Sequence, residues 1–440
     1  MKKRLLLVPV LVCLLGSPVL AEDQSSDDNG VTCNCDMGVI QHKPFYLLSA
    51  KDCGNMEVWD VDTQMPMPFP MAHMPMSMLM LHGNGFLAMI AEEGLDRGRE
   101  GVVAPNMFMA DLGTSVGDSQ YLNLDVMLTA DLWLMPKAGY PELFQIGENR
   151  EDGLPFIDAQ HPHSSPLMGL TLSDTIALDN GDKSNLKLFT APRGESTDGP
   201  IPFMHRPTGV MNPDAPLGHH VGQDSGHVSS TVLGEALKLG GLHLEASAFH
   251  GLEPQPSQVD LPLGTPDSYA FRLVGEFSSN FMAMASYAYV NNPEPGVAFS
   301  DRYSASLYLR APLSKNLTFN DSLVYGGITH LDNADYLSSV LEEAALLSPK
   351  TAIFLRLEVL QRTPNELNLP TLPNPDTGRW LTAITLGYSH QVASWDGWEL
   401  RAGASVTNDQ TPAEYADTYA GNPLTYKFFF QLGGMQMYNL

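Results

Sequence analysis

From about Met76 onward, apolar and polar residues alternate with a period of two in short runs. Trp398, Leu400, Ala402, Ala404 and Val406 are interleaved with Glu399, Arg401, Gly403, Ser405 and Thr407. Tyr303, Ala305, Leu307 and Leu309 alternate in the same way with Arg302, Ser304, Ser306 and Arg310, and the pattern recurs at 122–128, 242–248 and 353–359. Successive side chains of an extended chain point to opposite faces, so each run reads as a strand with one greasy and one wet side. Sixteen strands are expected, centred near residues 83, 111, 125, 170, 188, 230, 245, 272, 285, 306, 320, 340, 355, 385, 402 and 428. The weakest is 336–346, because Glu342-Glu343-Ala344-Ala345 also suits a helix, and without it the count becomes fourteen.

The links between runs alternate in length. Asp179-Asn180-Gly181-Asp182, Leu239-Gly240-Gly241, Ser278-Ser279-Asn280, Ser348-Pro349 and Ser394-Trp395-Asp396-Gly397 are tight, and several carry the Asn-Gly, Asp-Gly or Gly-Gly pairs that short hairpins need for positive φ. Segments 133–164, 191–226, 250–267, 362–378 and 409–423 are long. Short turns on one rim and long loops on the other predict an all-β fold, a transmembrane antiparallel up-and-down β-barrel of about 16 strands. Tyr287, Tyr289, Trp380 and Tyr388, near strand ends, suit interfacial aromatic girdles. Leu424, Tyr426, Phe428, Phe430 and Leu432 share one face of the last strand, which resembles the signal read by the barrel-assembly machinery, although the chain runs on to Leu440 without a terminal Phe. No stretch after the first residues approaches the roughly eighteen apolar residues of a spanning helix.

Met1-Lys2-Lys3-Arg4, an apolar run from Leu5 to Leu15 and small residues up to Ala21 predict a signal peptide over 1–21. Segment 22–75, rich in Asp, Ser, Met and Pro, lacks the alternation and is expected to form a periplasmic extension or plug before a barrel at 76–440. The expected setting is the bacterial outer membrane, with its lipid and lipopolysaccharide as surroundings. The formal charge of -26 argues against nucleic acid and for small cations, though acidic loops also serve simple solubility. Cys33, Cys35 and Cys53 remain after cleavage; one disulfide to Cys53 leaves one thiol, which keeps metal binding open.

Two constellations carry candidate chemistry. The first runs from Met65 to His82 and includes Met71, His73 and Met74 among prolines. Thioethers with imidazole suit Cu(I), whereas Met76, Met78 and Met80 also fit one apolar face of the first strand. The second comprises His161, His163, His205, His219, His220 and His227, with Asp158 and Asp224 close in sequence. All lie in or beside the two longest links, so they can converge as ligands for a divalent metal, or hydrogen-bond to fold those loops inward. His243, Glu245, Glu253, Arg272, Glu276, Arg302, Arg310, Arg356, Glu358 and Arg401 are expected in the lumen, because a lipid-facing charge costs about 2–4 kcal/mol at the midplane. Such charges either set a transverse field in a channel or cross-link a closed interior.

Several uncommon strings occur in order: Phe144-Gln145-Ile146-Gly147-Glu148, Asp158-Ala159-Gln160-His161-Pro162-His163, Phe203-Met204-His205-Arg206-Pro207, Asn212-Pro213-Asp214-Ala215-Pro216, His219-His220, Asp224-Ser225-Gly226-His227 and Leu244 to Pro254. With them the chain from about His82 onward resembles an uncharacterised, porin-like family of proteobacterial outer-membrane β-barrel proteins carrying HPH, MHRP and GHH motifs. Members are often associated with copper-handling genes, so the resemblance implies copper or another soft or divalent metal ion. Ser164 and Val221 depart from the acidic and aromatic residues common at those places in the family. The expected function is a non-enzymatic porin-like barrel passing or binding small cations or solutes. The rivals are a lipid-acting barrel enzyme, which needs Ser164 or Ser225 paired with a histidine, and a plugged structural or adhesion barrel.

Overall fold

A computed structural model describes residues 58–60, 65–67 and 77–440, apart from 151, 180–182, 279, 295 and 332–333. The expected signal peptide, Cys33, Cys35, Cys53, Met71, His73 and Met74 lie outside the described residues. Sixteen antiparallel strands form one closed barrel. They are β1 (Ser77–Glu92), β2 (Asn106–Val116), β3 (Gln120–Leu128), β4 (Leu167–Ala177), β5 (Ser184–Gly194), β6 (Ser229–Leu239), β7 (Leu242–His250) and β8 (Ser268–Ser278). The second half comprises β9 (Phe281–Asn291), β10 (Phe299–Ser314), β11 (Leu317–Leu331), β12 (Ala334–Leu347), β13 (Thr351–Arg362), β14 (Arg379–Trp395), β15 (Trp398–Gln410) and β16 (Leu424–Asn439). Each pairs with its neighbour, and the ring closes along a seam that runs from Thr425 opposite Glu92 to Asn439 opposite Met78. Gly433 and Gly434 therefore continue the closing strand instead of forming a tail beyond it.

The doubtful segment 336–346 is strand β12, paired on both sides with β11 and β13. Alternation decides its two glutamates: Glu343 is buried in the lumen and Glu342 lies on the other face, opposite Leu323 and Leu357. One departure from the expected strands is a break before β2. The short strand Glu100–Val103 pairs with β1, and the ladder then stops at Ala104-Pro105 because proline has no N–H to donate.

The outer face is a belt of exposed apolar side chains, among them Leu87, Leu124, Leu244, Phe271, Leu307, Leu355, Leu386, Phe428 and Phe430. Trp380 and Tyr388 are exposed on it, while Tyr287 and Tyr289 sit in a ladder of rings with Tyr269, Tyr303 and Phe299. Such a belt is stable only against lipid.

The inner face holds a core of its own. Segments 129–166 and 195–228 fold into the ring, the first as a hairpin of Tyr140–Asn149 with Pro155–Gln160. Met78, Met80, Phe86, Ala88 and Ile90 of β1 cluster with Tyr140, Val210 and Met211 of these segments. Leu143, Phe144 and Ile146 cluster with Leu360, Leu381, Tyr415 and Tyr419. Polar ties fix the same segments to the wall: Arg206 to Glu343 at 3.0 Å, Arg356 to Glu343 at 2.9 Å, and Arg356 Nη1 donating to the Ala215 carbonyl at 3.0 Å. Arg362 donates to the Phe144 carbonyl at 3.0 Å, and Lys427 pairs with Asp214.

Glu343 pairs with two buried guanidinium groups, so removing its charge weakens the hold on both and leaves Arg356 with Glu358 at 4.0 Å. Glu343→Gln is expected to destabilise the refolded barrel by about 3–5 kcal/mol. Urea unfolding in detergent measures this, and a midpoint equal to the parent's would show that the triad does not hold the plug.

Candidate metal centre in the lumen

His161 and His163 follow directly on the second strand of the lumen hairpin, as Pro162 holds the chain extended between them. His219 and His220 open a distorted helical turn, His219–Gln223, and His227 stands two residues before β6. That turn can seat only because its backbone touches the wall. Gly222 has φ +71°, and a Cβ there would fall 2.7 Å from the Gly327 nitrogen of β11. Gly326 is equally crowded, its missing Cβ lying 2.1 Å from the Val221 carbonyl, which accepts a hydrogen bond from Ser339 Oγ at 2.9 Å.

The two segments bring five imidazoles together. Ring centroids are 5.4 Å apart for His161 and His163, 5.2 Å for His161 and His220, 4.7 Å for His219 and His220, 4.7 Å for His219 and His227, and 5.2 Å for His163 and His227. Each of the sets His161/His219/His220 and His219/Asp224/His227 has donor atoms all within 4.8 Å of one another. A tetrahedral centre with bonds of about 2.1 Å places its donors roughly 3.4 Å apart, so small side-chain rotations would complete either set.

Hydrogen bonds to carbonyls decide which nitrogens carry lone pairs. His227 Nδ1 donates to the Asp224 carbonyl at 2.6 Å, which leaves Nε2 as the acceptor, and this atom lies 3.3 Å from His163 Nε2. His161 Nδ1 likewise faces the Pro162 carbonyl at 3.4 Å. His220 Nε2 is buried without a hydrogen-bond partner among the described residues, and His219 Nδ1 lies 3.3 Å from an Asp224 carboxylate oxygen. Burial first, and neighbouring imidazoles second, push His219 down to about 3 and His227 to about 4; burial also lowers His161, His163 and His220. Burial raises Asp224 above the usual carboxylate range. The cluster is thus a set of neutral imidazoles, the form that ligates metal. Asp131, which the sequence did not single out, accepts the His163 backbone N–H at 3.2 Å and holds the segment in place.

The remaining candidates divide. His205 is outside both ligand sets; it faces Glu195 at 3.9 Å and its ring lies 6.4 Å from that of His82. Asp158, grouped with the histidines on proximity in sequence, belongs elsewhere. Its carboxylate takes Arg97 at 2.9 Å, the Phe144 N–H and the Tyr419 hydroxyl, because φ +52° at Asp158 turns the side chain away. The lumen charges stand in pairs: Glu245 with Arg272 at 2.6 Å, His243 with Glu276 at 2.9 Å, Arg302 with Asp198 at 3.2 Å and also with Glu253, and Arg401 with Glu399 at 2.8 Å. Glu358 accepts the Leu217 N–H at 2.6 Å beside Arg356, and Arg310 is buried on β10. Ser225 Oγ donates to the His219 carbonyl at 3.4 Å and Ser164 Oγ to the Pro256 carbonyl.

No protein-family model matches the chain, and no curated protein matches it. Solved barrels do resemble it. Salmonella typhi OmpF in complex with daunomycin superposes with a TM-score of 0.50 at 9% identity, over 86% of this chain and 100% of that one. Pseudomonas putida OprB at high pH gives 0.48 at 10% identity over 82% and 94% of the two chains, and an anion-selective porin from Comamonas acidovorans gives 0.47 at 11% over 82% and 99%. At such identities the likeness is one of fold.

Gly222→Val is expected to unseat the 195–228 segment while leaving the barrel closed, since the new side chain meets backbone on both sides. Limited chymotrypsin digestion should then cut after Phe203, which is buried in the parent, with gel mobility still heat-modifiable. Continued protection would mean that the glycine contact is dispensable.

Proposed function

We propose that this protein is a porin-like barrel of the bacterial outer membrane, exported by its first 21 residues, that binds a borderline transition-metal cation of the Zn(II) or Cu(II) class in its lumen. The observation that carries this reading is the convergence of five imidazoles, His161 and His219 buried and His163, His220 and His227 half-buried, four of which form two overlapping donor sets with Asp224 on segments clamped to the wall. An ordinary water-filled pore has no need of them. Crowding five imidazoles together, two of them buried, costs stability that metal coordination recovers. The resemblance of these same strings to a copper-associated family points the same way. Conserving a Ser–His pair for hydrolysis would need a serine hydroxyl against an imidazole, whereas Ser164 and Ser225 donate to backbone carbonyls.

The paired lumen charges also favour a plugged barrel, and the two readings meet in a plug that carries the site. Planar-bilayer recording separates passage from retention: a conductance blocked by Zn(II) supports passage through the centre, and a silent barrel that still binds Zn(II) supports retention.

Calorimetric titration of detergent-refolded protein, with Cys33, Cys35 and Cys53 replaced by serine, should show saturable Zn(II) or Cu(II) binding. Loss of outer-shell partners alone weakens metal sites 10–100-fold, so His219→Ala with His220→Ala should weaken binding by at least ~10-fold. An affinity unaltered by the double substitution would rule the cluster out as the site.

A further inference from the structure

At the short-turn end of the lumen, beneath Pro349 and the turn from Ser394 to Glu399, lies a second cavity of about 420 Å³. Strands contribute Met80, Met107 and Met435 to its wall, the 195–228 segment contributes Met204 and Met211, and His82 and His205 face each other across it. Five of its 21 lining residues are methionine in a chain with 22 in 440, a several-fold concentration. They gather in the compartment of a membrane barrel where polar side chains are the rule.

Register explains how they converge. His82 of β1 stands opposite Met435 of β16 and Met109 of β2, and directly opposed residues share a face, so one rung across the closing seam reads thioether, imidazole, thioether. Met80 lies two residues earlier on the same face. Methionine commonly fills irregular gaps in cores, and Met80 and Met211 do pack against Val210. Filling, however, closes space. Here the thioethers border a chamber large enough for an ion and several waters, together with two imidazoles.

We infer that this chamber is a second metal site, selective for a soft monovalent ion of the Cu(I) or Ag(I) class, held by thioethers of Met80, Met204, Met211 and Met435 with His82 or His205. Thioethers are soft, uncharged donors that favour such ions over Zn(II). The site stands independently of the imidazole cluster, yet lies on the same path. Met107, Met204 and His205 also line a cavity of about 40 Å³ that reaches His163, His219 and His227. The two ends of that path therefore sort ions by softness, borderline at the imidazoles and soft at the thioethers.

The test uses the full chain from Glu22, refolded in detergent, with Cys33, Cys35 and Cys53 replaced by serine so that thiols do not compete. Ag(I) is titrated in chloride-free buffer, and Cu(I) against bicinchoninate; donors in the N-terminal segment are common to every variant and cancel. Met80→Leu/Met204→Leu/Met211→Leu, which keeps volume, should lose one equivalent of Ag(I) and keep its Zn(II) binding. His219→Ala/His220→Ala should do the reverse, so failure of one site is read separately from failure of the other. Retention of the full Ag(I) stoichiometry in the triple variant overturns the proposal, as does loss of Ag(I) in the histidine variant alone. Should the triple variant not refold, Met204→Leu, on a segment outside the strands, must weaken Ag(I) binding, and an unchanged affinity there is equally decisive against the site.

Discussion

A backbone crossing lipid has no water to satisfy its amides, so every N–H and C=O in the belt must find a partner within the protein. A sheet meets that demand only by closing on itself, and closure fixes the rest of the architecture. It divides each strand into a face toward lipid, which carries Leu124, Leu307, Leu355 and Phe428, and a face toward the interior, which inherits Arg302, Arg356, Glu343 and Lys427. Charges excluded from the outside have nowhere else to go. Once inside, they need partners, which come partly from neighbouring strands, as for Glu245 and Arg272, and partly from the segments that fold into the ring, as for Lys427 and Asp214.

The interior consequently resembles the core of a soluble domain more than a channel wall. Two apolar clusters seat the hairpin and the 195–228 segment, and buried ion pairs at Glu343, Asp214 and Asp198 pin them. Buried pairs add little net stability over well-packed apolar residues, but breaking one is expensive. Their contribution is to select one seating of the plug over others. The imidazole cluster depends on that selection, since its members come from two segments that share no strand.

Much of the barrel was legible because its signals are local. A period of two and the chemistry of tight turns located all sixteen strands, including β12, where pairing on both sides overrode the helical leaning of Glu342-Glu343-Ala344-Ala345. What escaped was long-range. The hairpin inside 133–164 has strand pattern, but nothing local says that it turns inward instead of standing above the rim. The convergence of His161 with His219 was expected only as a possibility, for it rests on Gly222 meeting Gly327 and on Arg356 reaching Ala215. Asp158 was misplaced because proximity along the chain is a poor guide where one residue takes a left-handed φ. Met78 and Met80 were seen to share a face. Which face it was depended on the apolar plug above them, since β1 carries hydrophobic residues on both sides.

The seam between β1 and β16 joins the two extremes of the barrel in sequence. Its rung of Met435, His82 and Met109 has no counterpart in any shorter piece of the chain, because each neighbour arrives from a different end. The methionine-walled chamber is therefore complete only once the first and last strands pair. An unclosed sheet would keep Met80, His82 and Met107 on its first two strands but lack Met435 beside them, so the full lining exists only in the closed ring.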